Sequence, residues 1–115
     1  MKKSVAMKWA KALESGKYKQ TDGTLEDSSG AFCCLGVLCK VAEQEKVEIN
    51  YSGGLLSGGT LDDQEDVKKW AGIRTDDGSY GANQHGSYNL IQLNDDKGQN
   101  FKQIAKKIRK VYKKL

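Results

Sequence analysis

Three thiols fall within seven residues of this chain, in the run "GAFCCLGVLCK" that begins at Gly30, and they are the first residues to weigh for chemistry. Cys33 and Cys34 are neighbours, so on a helix they point in different directions, and Cys39 aligns poorly with either. No C-x-x-C spacing occurs, adjacent cysteines make a strained disulfide, and a zinc site would need more ligands than these thiols and His85 provide. Two readings remain: small buried hydrophobes filling a core, which is the commoner use of free Cys, or a reactive thiol. His85, in "NQHGS", is the single histidine and the only side chain whose ordinary pKa suits acid–base work near neutrality. The paired acids Asp62/Asp63, Asp76/Asp77 and Asp95/Asp96 sit at caps or turns, where aspartate serves the backbone. "SGGLLSGG" lacks the Lys-Ser/Thr ending of a phosphate loop. The residues therefore offer no catalytic constellation and no cofactor site.

Binding chemistry is better supplied. Tyr18, Tyr51, Tyr80 and Tyr88 lie in or beside glycine-rich segments, with Lys17, Lys19 and Arg74 near them. Aromatic rings stack on bases, and Arg and Lys meet phosphates. The alternative is that the tyrosines anchor loops to the core. The stretch 74–89, "RTDDGSYGANQHGSYN", reads as a long loop with several glycines, a form common at binding sites. The residues expected to touch an anionic ligand are Tyr18, Gln20, Arg74, Tyr80, His85 and Tyr88.

The elements that must position these residues are mostly helical. Residues 4–15 read as a helix with Ser4 as N-cap and Gly16 as stop. Residues 31–45 read as a second helix, apolar on nearly every face and hence central. Gly36 in its middle costs about 1 kcal/mol relative to Ala, which points to close approach of another backbone or a ligand. Residues 47–59 turn on glycine and read as a hairpin. A third helix is expected over 60–73, with Thr60 and Asp63 as a capping box and Gly72 as stop. Ser87 is placed as the cap of a short helix through Leu93. The last helix, 100–115, carries a capping box at Asn100 and Gln103 and apolar groups every three or four residues from Phe101 to Leu115. The fold class is thus α+β: one mostly helical domain over 1–115, four or five helices around a buried central helix, with a minor β-hairpin.

Charge is distributed unevenly along the 115 residues. Residues 1–19 carry a net +5, residues 20–96 a net −9 and residues 97–115 a net +8. The basic ends either pack near the acidic middle or form a basic face for an anion. No apolar run approaches the roughly 20 residues that span a bilayer. The first residues lack the apolar core of a signal peptide, since Lys8 and Lys11 interrupt it, so no membrane role and a cytoplasmic location are expected.

The spacing "W-x-x-A-L-x-S-G-x-Y-x-Q" at 9–20, "FCCLGVLC" at 32–39, "WAGI" at 70–73, "GSY", and "LNDDKGQNFKQIAKKI" at 93–108 resembles a family of small proteins in phages and prophages. That resemblance implies the cytoplasm of a bacterial host and no known catalytic residue. By analogy with other small phage proteins, the leading expectation is a non-enzymatic, homo-oligomeric counter-defence protein that sequesters a nucleotide-derived host immune signal. The alternatives are an inhibitor that binds a host protein through the acidic middle, or a nucleic-acid binder using the basic last helix.

Overall fold

Ala6, Trp9, Ala10 and Leu13 recur at spacings of three and four and form the buried stripe of helix α1, Lys3–Glu14. A computed structural model describes residues 1–115, and α1 is the first of its five helices. After it come α2 (Cys34–Gln44), a hairpin of β1 (Tyr51–Ser52) and β2 (Leu55–Leu56), a 3-10 turn at Leu61–Asp63, and α3 (Glu65–Ala71). A second hairpin of β3 (Ser79–Asn83) and β4 (Gly86–Asn89) leads into α4 (Leu90–Asp95), α5 (Phe101–Val111) and a closing 3-10 turn at Tyr112–Lys114. Both hairpins are antiparallel and stand apart as separate two-stranded sheets, so the architecture is a helical α+β domain. No helix is long and apolar enough to cross a membrane.

The central position expected for the second helix is what the chain adopts. Every residue from Ala31 to Cys39 is buried, as are Val41 and Ala42. The helix itself begins only at Cys34, because Phe32 is held in extended form: its N–H donates to Lys19 O and its carbonyl accepts from Thr21 N, each at 2.8 Å. Gly36 is where another backbone crosses. A Cβ there would lie 2.0 Å from the carbonyl oxygen of Leu25. All three cysteines are free and buried. Burial pushes the Cys33 thiol up to about 11 and Cys39 up to about 12, with Cys34 raised well above its ordinary value as well. A reactive cysteine needs a depressed pKa and access to solvent; these have neither, and the packing reading holds for all three.

Three local expectations are corrected. Ser4 lies inside α1, and the capping position is Lys2, whose side chain makes no cap bond; its backbone N–H instead donates to Ala71 O at 2.9 Å. The segment 60–73 is two pieces. Thr60 Oγ1 accepts from the N–H of Asp62 at 3.3 Å, and the chain breaks at Gln64 before α3 starts. The break has a tertiary cause: the Gln64 side chain, 1 % exposed, accepts from Asn50 N at 3.0 Å and donates to Asn50 O at 2.8 Å and Ser57 O at 3.1 Å. It pins the β1–β2 hairpin segment to the core, and those bonds outweigh continuing the helix. Finally, 79–89 is ordered as a hairpin, paired Gly81 to Tyr88, Ala82 to Ser87 and Asn83 to Gly86, with an irregularity between Ser79 and Gly81. Ser87 is therefore in a strand. The cap of α4 is Asn89, whose Oδ1 accepts from Gln92 N at 2.9 Å.

α5 matches its sequence reading closely. Asn100 and Gln103 form both halves of the capping box at 2.9 Å each, and Phe101, Ile104, Ala105, Ile108 and Val111 are buried. Its main partner is α1, so the two basic ends of the chain pack against each other, while α1 also packs on α2 and α5 on α4, both within the acidic middle. Of their cations, Lys8 pairs with Glu45 and Arg109 with Glu14; the remaining lysines of both segments have no carboxylate partner.

Candidate functional site

The hairpin and the last helix meet at Tyr80. The irregularity near the start of β3 sets Tyr80 beside Tyr88 of the opposite strand, with ring centroids 6.3 Å apart and planes 20° from parallel. Tyr88 is 44 % exposed, and its hydroxyl is bonded by Asn83 Nδ2. Burial pushes the Tyr80 hydroxyl above its ordinary pKa, with the nearby Tyr88 hydroxyl adding to the rise. The ammonium of Lys107 stands 5.1 Å from the centre of the Tyr80 ring, a cation–π distance. Lys107 belongs to a stripe with Gln103, Lys106 and Lys110, spaced i, i+3, i+4 and i+7 and therefore on one face of α5. This stripe and Gln99 line an open depression of about 250 Å³.

The depression continues in the other direction. Gln99 also lines a second one of about 270 Å³, shared with Gln20 and Asn100. Gln20 and Asn100 in turn line a third, of about 360 Å³, which reaches Tyr18 and Lys102. The Tyr18 ring is held edge-on against Phe32 at 5.6 Å between centroids, with planes at 89°. Gln20 is fixed by two donations from its Nε2, to Asn94 Oδ1 at 2.9 Å and to Gln99 O at 2.8 Å. Asn94, 5 % exposed, is the hub of this end. Its Oδ1 also accepts from Cys34 N at 3.2 Å, and its Nδ2 donates to Thr21 O and Asp95 Oδ1, each at 2.8 Å.

The six residues expected to form the site do not converge on one point. Tyr80 and Tyr88 form one cluster, and Tyr18 and Gln20 the opposite end. Arg74 lies at the root of the β3–β4 hairpin with its guanidinium turned to the backbone: Nε donates to Lys114 O at 3.2 Å and Nη2 reaches Ser79 O at 3.5 Å. Its clearest role is to fasten the C-terminal turn to the hairpin. His85 sits at the opposite, turn end of that hairpin, exposed, its N–H donating to Asn83 Oδ1 at 2.8 Å and its ring 3.3 Å from the Gln84 amide. Arg74 and His85 do not meet.

The six residues named from the sequence leave out Lys106, Lys107 and Lys110, although the basic last helix is the surface of the alternative nucleic-acid-binding reading. Their spacing marks them as one helix face, but only the fold shows that the face lies beside Tyr80. Asn94 and Gln99 carried no signal. No three His, Cys, Asp or Glu side chains cluster as metal ligands, and the ring of His85 has no carboxylate or thiol partner. What the arrangement offers is flat aromatic surface beside unpaired ammonium groups.

No curated protein and no solved structure matches the chain. A family model described as a domain of unknown function (DUF8296) matches residues 1–112, nearly the whole length, and the chain belongs to that family.

Proposed function

We propose that this protein is a non-enzymatic binding module that takes up a phosphate-bearing nucleotide on the face shared by the β3–β4 hairpin and α5. In the phage setting implied by its sequence resemblance, the module sequesters a nucleotide-derived host signal. One observation carries the reading: Lys107 stands over Tyr80, which is itself stacked with the exposed Tyr88. A nucleotide needs a flat apolar contact for its base and cations for its phosphates. Tyr88 offers the first, and Lys106, Lys107 and Lys110 the second. The thiols are sealed in the core and His85 has no acid or nucleophile beside it, which favours binding without turnover.

Thermal unfolding with and without a panel of nucleotides tests this, since a ligand that binds only the folded state raises the melting temperature. The expected result is a rise with at least one nucleotide, reduced about tenfold in affinity by Tyr88→Ala, with the nucleotide recovered unchanged after heating the complex. A cleaved product would place the protein among enzymes. No affinity for any nucleotide, together with a stable complex with a host protein, would favour an inhibitor that uses the acidic middle.

A further inference from the structure

The nucleotide reading leaves most of the surface unused. A mononucleotide on Tyr88 and Lys107 has no use for Tyr18, for Gln20, or for the far end of the lysine stripe. Yet the three depressions form one track, because each shares lining residues with the next: Gln99 joins the first to the second, and Gln20 and Asn100 join the second to the third. Tyr18 lines the depression at one end, and at the other Lys107, which lines the first depression, stands over the Tyr80 ring of the Tyr80–Tyr88 stack.

We infer that the ligand of this face is a linear single-stranded oligonucleotide, stacked on Tyr88 at one end and on Tyr18 at the other, with its phosphates along α5. The inference rests on the binding reading above and names its ligand class. The stripe from Gln103 to Lys110 is about 10 Å long at 1.5 Å per residue. Stacked nucleotides repeat at about 3.4 Å, so the stripe alone faces about three of them. Its three lysines have no carboxylate partner, and neither does Lys102, which lines the Tyr18 end. Two acids border the track. Glu14 is neutralised by Arg109. Asp22 has no cation and lines the middle depression together with Asn100 at the start of α5, so phosphates run along the lysines of α5, away from Asp22. The bases then face the Gln20 and Asn94 side. Gln20 and Asn94 are already bonded to each other and to the chain, so this side is built before any ligand arrives.

Fluorescence anisotropy with labelled homopolymers of two, four and eight nucleotides, as DNA and as RNA, tests this against a mononucleotide. Affinity is expected to rise at least tenfold from two to eight nucleotides, with log K falling against log salt with a slope of about −2 for three phosphate contacts on a single strand. Tyr18→Ala should weaken the eight-mer about tenfold and leave the two-mer unchanged. Because Tyr18 packs on Phe32, the exposed Lys110→Glu provides a variant that keeps the fold and should weaken the eight-mer comparably, while Asp22→Asn should strengthen it. Equal affinity for mononucleotide and eight-mer, with no effect of Tyr18→Ala or Lys110→Glu, overturns the extended ligand and leaves the nucleotide reading intact. No binding of any nucleotide removes both.

Discussion

The backbone N–H of Cys34 donates to Asn94 Oδ1 at 3.2 Å, sixty positions away in the chain. Cys34 is the first residue of α2, and the capping residue Cys33 has no side-chain cap bond to offer. The central helix is therefore capped by a residue of α4. The same side chain also ties Gln20 and Thr21 into place, so one amide joins three segments.

Asn94→Ala should accordingly destabilise the fold by about 1–3 kcal/mol, the usual cost of leaving buried donors and acceptors without partners. Urea unfolding measures it. A loss below about 0.5 kcal/mol would mean that the α2 N-terminus is satisfied in another way.

Gly36→Ala separates intrinsic preference from packing. In an exposed helix this change gains up to about 1 kcal/mol. Here the new methyl would meet the Leu25 carbonyl at 2.0 Å, and that carbonyl cannot easily yield because it accepts from Cys33 N at 3.2 Å. The expected net result is a loss of about 2 kcal/mol, within the range for overpacked cores. A stabilised variant would refute the close crossing.

The thiols should label slowly with a thiol reagent in the native protein and rapidly in denaturant. They also set a pH dependence. Folding raises their pKa values, so the folded chain holds these protons more tightly than the unfolded one. Such groups contribute stability that is complete below the unfolded value of 9.0 and lost as pH rises toward about 11 for Cys33 and about 12 for Cys39. The urea midpoint should fall as pH rises above 9. Lys40 and Tyr51, both raised too, add to the same trend, so Cys39→Ala should flatten the slope without abolishing it.

On α5, Ile104→Ala and Ile108→Ala should each cost about 2–5 kcal/mol, the penalty for truncating a buried aliphatic side chain. Lys106→Ala and Lys110→Ala, both exposed, should change stability by no more than about 0.5 kcal/mol. The two lysine variants should instead weaken ligand binding, which makes the pairs opposite in both assays.

The contrast between elements explains what a sequence reader can see. α5 is legible because its apolar spacing and its capping box are local and agree with each other. α2 is legible as central because no charged or polar side chain occurs from Ala31 to Leu38, its polar residues being confined to Lys40, Glu43 and Gln44, and Gly36 announces a crossing backbone without naming Leu25. The β3–β4 hairpin is hidden because β3 reads Ser-Tyr-Gly-Ala-Asn and β4 reads Gly-Ser-Tyr-Asn, with no alternation of apolar and polar residues. Neither strand buries a whole face, so the period-two signal that marks a half-buried strand never forms. Gln64 and Asn94 are hidden for another reason: their partners lie on distant segments, and a lone amide carries no periodicity. Of the site, the tyrosines were visible as residue types, while their assembly with Lys107 depends on the fold alone.

The packing of α1 against α5 orders events in time as well as in space. Trp9 and the stripe around it have their main partner near the other end of the chain. At about 5–20 residues per second, α1 is made on the order of five to twenty seconds before α5 is complete. Throughout that interval α1 has α2 to pack on, with Trp9 Nε1 donating to Cys34 O at 2.9 Å, but the larger part of its packing waits for α5. Completion of the core is therefore expected to wait for α5, and a chain stalled before α5 to be a target for chaperones and proteases.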